Sequence, residues 1–368
     1  MQQSNDASFG RILLFNNALS GGAGRSILTL AQALDREGFA VHLAIYESKI
    51  DYPVPESIVL HRLSTEEKNK KTVAEALKQL LDKHGPFDMV MSNSSPANRI
   101  LSMIDPPGTI HCIRSAETKR FPDTPMGRLR SMWRRRRYQR LYDGKRLLTV
   151  SSGLESYIIR DLGARPASIR TIYNPFELAE IRRLAATEDP EIPTGEFLIH
   201  VGRLDLVHKR QDVLLEAYKL ADPPMPLVLL GEGRDEEKIR HLIKHLGLEK
   251  RVSLIGRRSN PYPWISKARL LILSSDFEGF PRVLIEAFAL ETPVVSTDCP
   301  SGPSDILTGD FSTFLSPPDD AGKLAENIGK ALSGYPKIEP ELIERFDSTI
   351  IAKEYADLIR TMKGKNVV

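Results

Sequence analysis

Two glutamates, Glu278 and Glu286, stand eight residues apart in "SSDFEGFPRVLIEAFALETPVVS", residues 274–296, the first on a predicted loop and the second inside the helix that follows. Spacing alone says little, because ordinary glutamate usage gives a chain of this length about one or two such pairs by chance. The neighbours say more. Pro281 suits a first helical turn, where its missing N–H costs nothing, and Gly279 lets the preceding backbone come close to a ligand. Together they predict a helix N-terminus with amides aimed at an anion. A phosphate flanked by two sugars would engage that terminus and both carboxylates. A capped helix with two solvated glutamates is the plainer alternative.

A second constellation is "HVGRLDLVHKRQD", a strand followed by glycine, Arg203 and, six residues later, Lys209. Two cations at a strand end suit a diphosphate, whose delocalised charge needs several donors; a solvated helix start also fits. Gly21, Gly22 and Gly24 in "NNALSGGAGRS" follow the first strand and precede the first helix. They lack the G-x-G-x-x-G register of a dinucleotide loop, which leaves close backbone approach to a ligand or a tight turn. His111 in "GTIHCIRS" ends a predicted strand on the side where ligands bind, in a catalytic or a structural role. His241 and His245 are one helical turn apart but lack the glutamate of H-E-x-x-H, and read as a solvated face. No D-x-D occurs. That removes one common way of holding a divalent metal against a diphosphate, and no metal site is expected.

The elements that must position these residues come in two series. "RILLFN", "AVHLAIY", "FDMVMS", "TIHCI", "LLTVS" and "IRTIYN" read as buried strands. Amphipathic helices lie between them, such as "GRSILTLAQALDREG" with Ile27, Leu30, Ala31 and Leu34 on one face. A second series follows: "FLIHV", "PLVLL", "RVSLI", "RLLIL", "TPVVS" and "STFL". Buried strands alternating with helices predict parallel βαβ units. The fold class is therefore α/β, with two doubly wound domains at 1–177 and 178–347. The polar, three-proline stretch "NPFELAEIRRLAATEDPEIPTGE" reads as the hinge region between them. The final helix, 348–368, is a candidate to pack back on the first domain.

Length and composition agree with two ordinary globular domains: 368 residues, 51 basic against 48 acidic side chains, formal charge +3. So even a balance gives no global reason for nucleic-acid binding. The two cysteines, Cys112 and Cys299, form neither a disulfide framework nor a zinc cluster, which fits a reducing cytoplasm. The polar start "MQQSNDASFG" is unlike a signal peptide, and no run of eighteen apolar residues occurs. Charge is concentrated locally instead. From Arg114 to Arg146 there are twelve Lys or Arg residues against three acidic ones. Arg134 to Arg137 fan around most of a helix at about 100° per residue and need water or phosphates around them. With Trp133 and Tyr138 nearby, an anionic membrane surface or phosphorylated glycolipid suits the segment, at about 1 kcal/mol per basic residue. A solvated charged helix suits it too, whereas no RNA-binding motif accompanies the charge.

Taken in order, "IYNPFE", "GRLDLVHKRQDVLLEAY", "LLGEGRDEEKIRHLIKHLGLEKRVSLIGR" and "NPYPWISKARLLILSSDFEGFPRVLIEAFALETPVVSTDCPSGPSDIL" resemble glycosyltransferase family 4, the retaining enzymes of the GT-B fold, over nearly the whole chain. The resemblance implies two Rossmann-like domains facing across an interdomain cleft, the first for an acceptor and the second for a nucleotide sugar. Glu278 and Glu286 match the ends of the family's E-x7-E motif, implying contacts to donor-sugar hydroxyls and to the ribose. Arg203 and Lys209 match the diphosphate-binding pair, and Gly22 the N-terminal glycine loop. Backbone amides of Phe280, Pro281, Arg282, Val283 and Leu284 are implied to complete the cradle, and His111 resembles a histidine placed near the donor sugar.

The implied donor is a UDP-sugar, with no metal and no further cofactor, and retention of configuration. The implied acceptor is a glycan or lipid-linked sugar, in lipopolysaccharide or other surface-polysaccharide synthesis. The chain would work in the cytoplasm or on the inner membrane's cytoplasmic face. Two departures stand out: Leu290 and Glu291 replace a small residue and glycine before "TPVV", and "GGAGR" lacks a glutamate common after the glycines. A UDP-sugar 2-epimerase on the same scaffold, or an anionic lipid- or RNA-binding module, are the rival readings.

Overall fold

Runs of aliphatic and β-branched residues cut by turn residues can bury both faces only in a parallel sheet covered by helices. That is what the computed structural model shows; it describes residues 9–63, 69–116 and 124–364. The first sheet holds β1 (Arg11–Asn16), β2 (Ala40–Ile45), β3 (Val59–Arg62), β4 (Met89–Ser92), β5 (Thr109–Ile113), β6 (Arg146–Thr149) and β7 (Ser168–Thr171). Their order is β3-β2-β1-β4-β5-β6-β7, every pair parallel. The second holds β8 (Leu198–Val201), β9 (Leu227–Leu230), β10 (Val252–Gly256), β11 (Leu270–Leu273), β12 (Val294–Thr297) and β13 (Leu315–Ser316), in the order β10-β9-β8-β11-β12-β13. Each order reverses direction once, at β1/β4 and at β8/β11. Such switch points open a crevice at the carboxyl ends of the strands.

The central strands carry the cores. Ile12 to Phe15 of β1 and Leu270 to Leu273 of β11 are wholly buried. The helix Gly21–Arg36 turns Ile27, Leu30, Ala31 and Leu34 inward, as the 3.6-residue period requires. Two compact units result. One carries the chain up to Phe176 and again from Phe346; the other is Glu177–Arg345. The helix Ser348–Gly364 packs on the first unit, burying Ile351, Tyr355 and Ile359, with Lys363 Nζ 3.0 Å from Asp88 Oδ1. Among the described residues no helix is long and apolar enough to cross a membrane.

Three local expectations change. β3 has no counterpart among the predicted strands, because this edge strand lacks a continuous apolar run. "STFL" contributes only Leu315 to a strand; the residues before it wind into a 3₁₀ helix, Gly309–Phe314. The division between the units, Phe176/Glu177, falls inside the segment read as a hinge region, but from Glu177 onward that segment is built into the second unit. Its residues form the helix Leu178–Ala185, Arg182 Nε donates to the Ala289 carbonyl at 3.2 Å, and Trp264 Nε1 donates to Asp189 Oδ2 at 2.7 Å. Its polarity conceals this because the apolar contact comes from a few scattered residues, Leu178, Ile181 and Ile192, and side-chain hydrogen bonds supply the other ties.

The departure at Leu290 and Glu291 has a defined geometry. The helix Arg282–Ala289 ends in a Schellman turn, with the Thr292 amide on the Ala287 carbonyl (2.9 Å) and the Glu291 amide on that of Phe288 (3.1 Å). Glu291 therefore sits at φ 57°, a left-handed position that costs a side-chain-bearing residue about 1–2 kcal/mol. Its side chain is exposed. Glu291→Gly should raise stability by about 1 kcal/mol, read as a higher denaturant midpoint; an unchanged or lower midpoint would show that the glutamate compensates elsewhere.

Candidate functional site

β8 and β11 are neighbours, so the loops leaving their carboxyl ends lie side by side. The first loop brings Arg203 and Lys209, the second Glu278. Lys209 Nζ donates to Glu278 Oε1 at 2.5 Å, with side chains only 20% and 13% exposed. Ser275 Oγ donates to the same carboxylate oxygen at 2.7 Å, and Ser301 Oγ donates to the Glu278 carbonyl. In the other direction, Ser274 Oγ donates to the Lys209 carbonyl at 2.7 Å and the Asp276 amide to that of His208 at 2.9 Å. Each loop thus holds the other's charged residue in place.

Arg210 fastens the pair from behind. At φ 49° it opens the helix Gln211–Ala221, and its guanidinium reaches Asp212 (3.0 Å), Asp276 (3.1 Å) and Asp319 (2.5 Å). The loops after β8, β11 and β13 are joined through one side chain. Arg203 is different. It is 65% exposed, with only a 3.6 Å approach to Asp205, so its guanidinium is open to an incoming anion. Its backbone is fixed: Gln211 Nε2 donates to the Arg203 carbonyl at 2.9 Å, and Asp205 accepts the amides of Val207 (3.0 Å) and His208 (3.2 Å). Burial pushes the Asp205 carboxyl up, but the His208 side chain and these amides outweigh it and hold it below the usual range. Under this loop lies buried His200, whose Nδ1 is 2.9 Å from the Ile272 carbonyl. Burial lowers its pKa to about 4, so the ring is neutral, with Nδ1–H donating and Nε2 left to accept from Gln211.

Neither glutamate is solvated. Glu286 is buried one turn into the helix Arg282–Ala289, with Arg282 Nε 3.5 Å from its Oε1. Pro281 stands immediately before that helix, and Phe280, Pro281, Val283 and Leu284 are buried, which sets the backbone rigidly. Pro281 has no N–H and the Leu284 amide already donates to the Pro281 carbonyl at 3.1 Å, so neither adds an amide donor to an anion cradle. Gly302 explains the glycine in "CPSGPSDIL": at φ 100°, a Cβ there would lie 2.6 Å from Pro281 Cδ, so only glycine lets Ser301 come over the Glu278 loop.

Gly22 and His111 belong to the first unit. Gly22 is exposed in the first turn of the helix Gly21–Arg36, and its carbonyl accepts from Ser26 Oγ at 3.0 Å. Gly24, two residues on, is packed so close that a Cβ would lie 2.5 Å from the Leu19 carbonyl carbon; it serves the turn itself. His111 is not at a strand end. It is the third residue of β5 and 1% exposed, with Nδ1 3.2 Å from Ser92 Oγ. Ser92 donates to Asn98 Oδ1, so the His111 proton sits on Nδ1, and Nε2 is a buried acceptor with no partner among the described residues. Burial lowers its pKa to about 4. Burial likewise pushes the thiols of Cys112 and Cys299 up, which makes neither a nucleophile.

The basic segment is only partly a solvated fan. Arg134 lies over the Tyr138 ring, 5.8 Å to its centroid, and Arg135 Nε donates to the Leu162 carbonyl at 3.2 Å. Lys119 and Arg120 lie outside the described residues. Sequence reasoning missed Asp205, Arg210, Gln211, Ser275 and Ser301. Their one signal was polarity at the carboxyl ends of buried strands, where a purely structural turn needs no such density of side-chain partners.

Comparison with known proteins gives these residues a context. The pattern of Glycosyltransferase Family 4 matches residues 20–180, and that of Glycosyl transferases group 1 matches residues 185–347. The chain is 33% identical over 217 residues to lipopolysaccharide 1,6-galactosyltransferase of Escherichia coli, covering 57% of this chain and 58% of that one. It is 27% identical over 351 residues to the N-acetylgalactosamine-N,N'-diacetylbacillosaminyl-diphospho-undecaprenol 4-alpha-N-acetylgalactosaminyltransferase of Campylobacter jejuni, covering 91% and 95%. Its fold is similar to that of Anabaena HepE, solved in complex with UDP and glucose, with a TM-score of 0.71 at 17% identity over 96% of this chain and 100% of that one.

Arg210→Gly separates two contributions. Glycine relieves the positive φ but leaves buried Asp276 without that guanidinium, so a net loss of about 1–2 kcal/mol is expected by chemical denaturation. A variant as stable as the parent would show that the three ties contribute no more than the positive φ costs. Stability should also fall in mild acid. His111 and His200 have folded pKa values of about 4 against 6.5 ordinarily. Above about pH 6.5 they are neutral folded or unfolded; as pH falls towards 4, the unfolded chain takes up protons that the folded chain cannot, and stability is lost. A denaturant midpoint that stays level from about pH 7 to pH 5 would contradict this.

Proposed function

The chain belongs to glycosyltransferase family 4, two Rossmann-like domains of the GT-B fold, and from there we propose that it moves a sugar from a nucleotide diphosphosugar, a UDP-sugar, to a glycan or lipid-linked acceptor. The observation that carries the reading is the Lys209–Glu278 pair beside exposed Arg203, at the carboxyl ends of β8 and β11, inside the stretch matched by Glycosyl transferases group 1. The UDP complex of a structural neighbour supports the choice of nucleotide, and the names of the two relatives support lipopolysaccharide or another bacterial surface glycan as the product.

As the bond between the sugar C1 and the phosphate oxygen breaks, negative charge grows on the leaving diphosphate. Arg203 and Lys209 meet it, and losing one such preorganised donor lowers the rate by about 10²–10³. The acceptor oxygen bonds to C1 on the same face, and its proton passes to the departing phosphate oxygen, so configuration is retained. Glu278 orients the sugar hydroxyls while its pairing with Lys209 aims the cation; Glu286 takes the ribose. Gly22 and His111 of the first unit join the assignment on the family resemblance alone. Neither metal nor further cofactor has a role in this reading. Buried, unpaired Cys112 and Cys299 suit work in the cytoplasm or at the inner face of the membrane.

Purified protein incubated with a panel of nucleotide sugars should be stabilised by UDP and its sugars, by about 2.7 kcal/mol at 100 times Kd, and should slowly hydrolyse one of them. Glu278→Ala should abolish transfer with the fold intact, and NMR of the product should show the donor's anomeric configuration. Normal turnover in folded Glu278→Ala would remove the site, and an inverted product would remove the mechanism.

A further inference from the structure

Glu286 is almost out of water, and the cation at its carboxylate is Arg282, four residues earlier in the same helix, with Nε 3.5 Å from Oε1 and side chains 12% and 10% exposed. Among the described residues no hydrogen bond reaches that carboxylate. A carboxylate so deeply placed normally accepts several, and leaving its lone pairs unfilled is costly.

The arginine also stands against two local rules. In the first turn of a helix the dipole disfavours positive charge, and this first turn has no acidic residue to offset it. In an i, i+4 pair the stabilising order is acid then base, and here it is reversed. The helix Glu236–His245 shows the ordinary arrangement: Glu236 comes first, Arg240 follows it at 2.6 Å, and both side chains reach water. Local rules broken together at one place mark residues that a site needs for something else.

What the pair can take up follows from its charges. A phosphate brought to it would meet the carboxylate as well as the guanidinium, so attraction and repulsion offset. Neutral hydroxyls meet oxygen lone pairs that are ready to accept. We propose that Arg282 is a positioning residue for the nucleotide: its guanidinium holds the Glu286 carboxylate in place without filling its lone pairs, which leaves them to the ribose hydroxyls. The inference rests on the reading that Glu286 takes the ribose, and adds the group that sets the glutamate for it.

Calorimetric titration with UDP and with 2′,3′-dideoxyuridine diphosphate isolates the hydroxyls, because the two probes share base and diphosphate. The unaltered protein should bind UDP about tenfold more tightly or better, the worth of one hydrogen bond to a charged group. Arg282→Met should bring that ratio down to about two by weakening UDP alone, and Arg282→Lys, which keeps a cation, should restore most of it. Removing one partner of a buried pair can destabilise a fold, so the double variant Arg282→Met/Glu286→Gln, with neither charge, is measured beside it. Its ratio should equal that of Glu286→Gln alone, about two, because the arginine acts through the glutamate. A ratio still about tenfold in folded Arg282→Met, or equal weakening of both probes, as a cation on the diphosphate would give, would overturn the proposal. A Glu286→Gln protein that keeps the parent ratio would remove the ribose reading and this inference with it, whereas a ratio lost in Glu286→Gln but kept in Arg282→Met would remove this inference alone.

Discussion

The contact between Lys209 and Glu278 is possible only because β8 and β11, far apart in sequence, are adjacent in the sheet. Parallel strands send every loop from their carboxyl ends to one edge, and where the strand order reverses, the two loops part around a crevice. An ammonium and a carboxylate meeting there half out of water hold their loops together only if their own backbones are fixed. The hydroxyls of Ser274, Ser275 and Ser301 and the guanidinium of Arg210 do this. Arg203 is the member left facing solvent, consistent with a site whose geometry is set before a ligand arrives.

Much of this was legible without coordinates because the signals were redundant. Most buried strands announced themselves by a largely apolar run, and the helices by period; the positions of Arg203, Lys209, Glu278 and Glu286 then followed from the motifs on either side. What escaped was held by side-chain chemistry. β3 lies on an edge and has too little burial to show a pattern, and the short helix Leu178–Ala185 looked like a linker because it buries few apolar residues, Leu178 and Ile181, and is also tied down by hydrogen bonds from Asn260 and Arg182. A sequence shows that a residue is polar; it does not show which partner is waiting.

The same limit applied to charge and conformation. The arginines at 134 to 137 read as one block, yet two are spent on the Tyr138 ring and the Leu162 carbonyl, and the others face outward. His111 read as the end of a strand and is in its middle, in a hydrogen-bond chain with Ser92 and Asn98. Glu291 was visible as an oddity, but only the Schellman turn shows that the oddity is a backbone angle.

The first unit is made of two stretches of chain, with the second unit inserted whole between Phe176 and Phe346. Where the chain leaves and returns, the Phe176 amide donates to the Phe346 carbonyl at 2.9 Å and the Ser348 amide to the Phe176 carbonyl at 2.8 Å. During synthesis on the ribosome, the first stretch of this unit must therefore wait for the stretch that follows the inserted unit. The inserted unit can fold as soon as it is made, whereas the earlier sheet keeps the surface meant for Ile351, Tyr355 and Ile359 uncovered until the helix Ser348–Gly364 has been made. A chain stopped just after Arg345 would spare the later-made domain and cripple the one already synthesised.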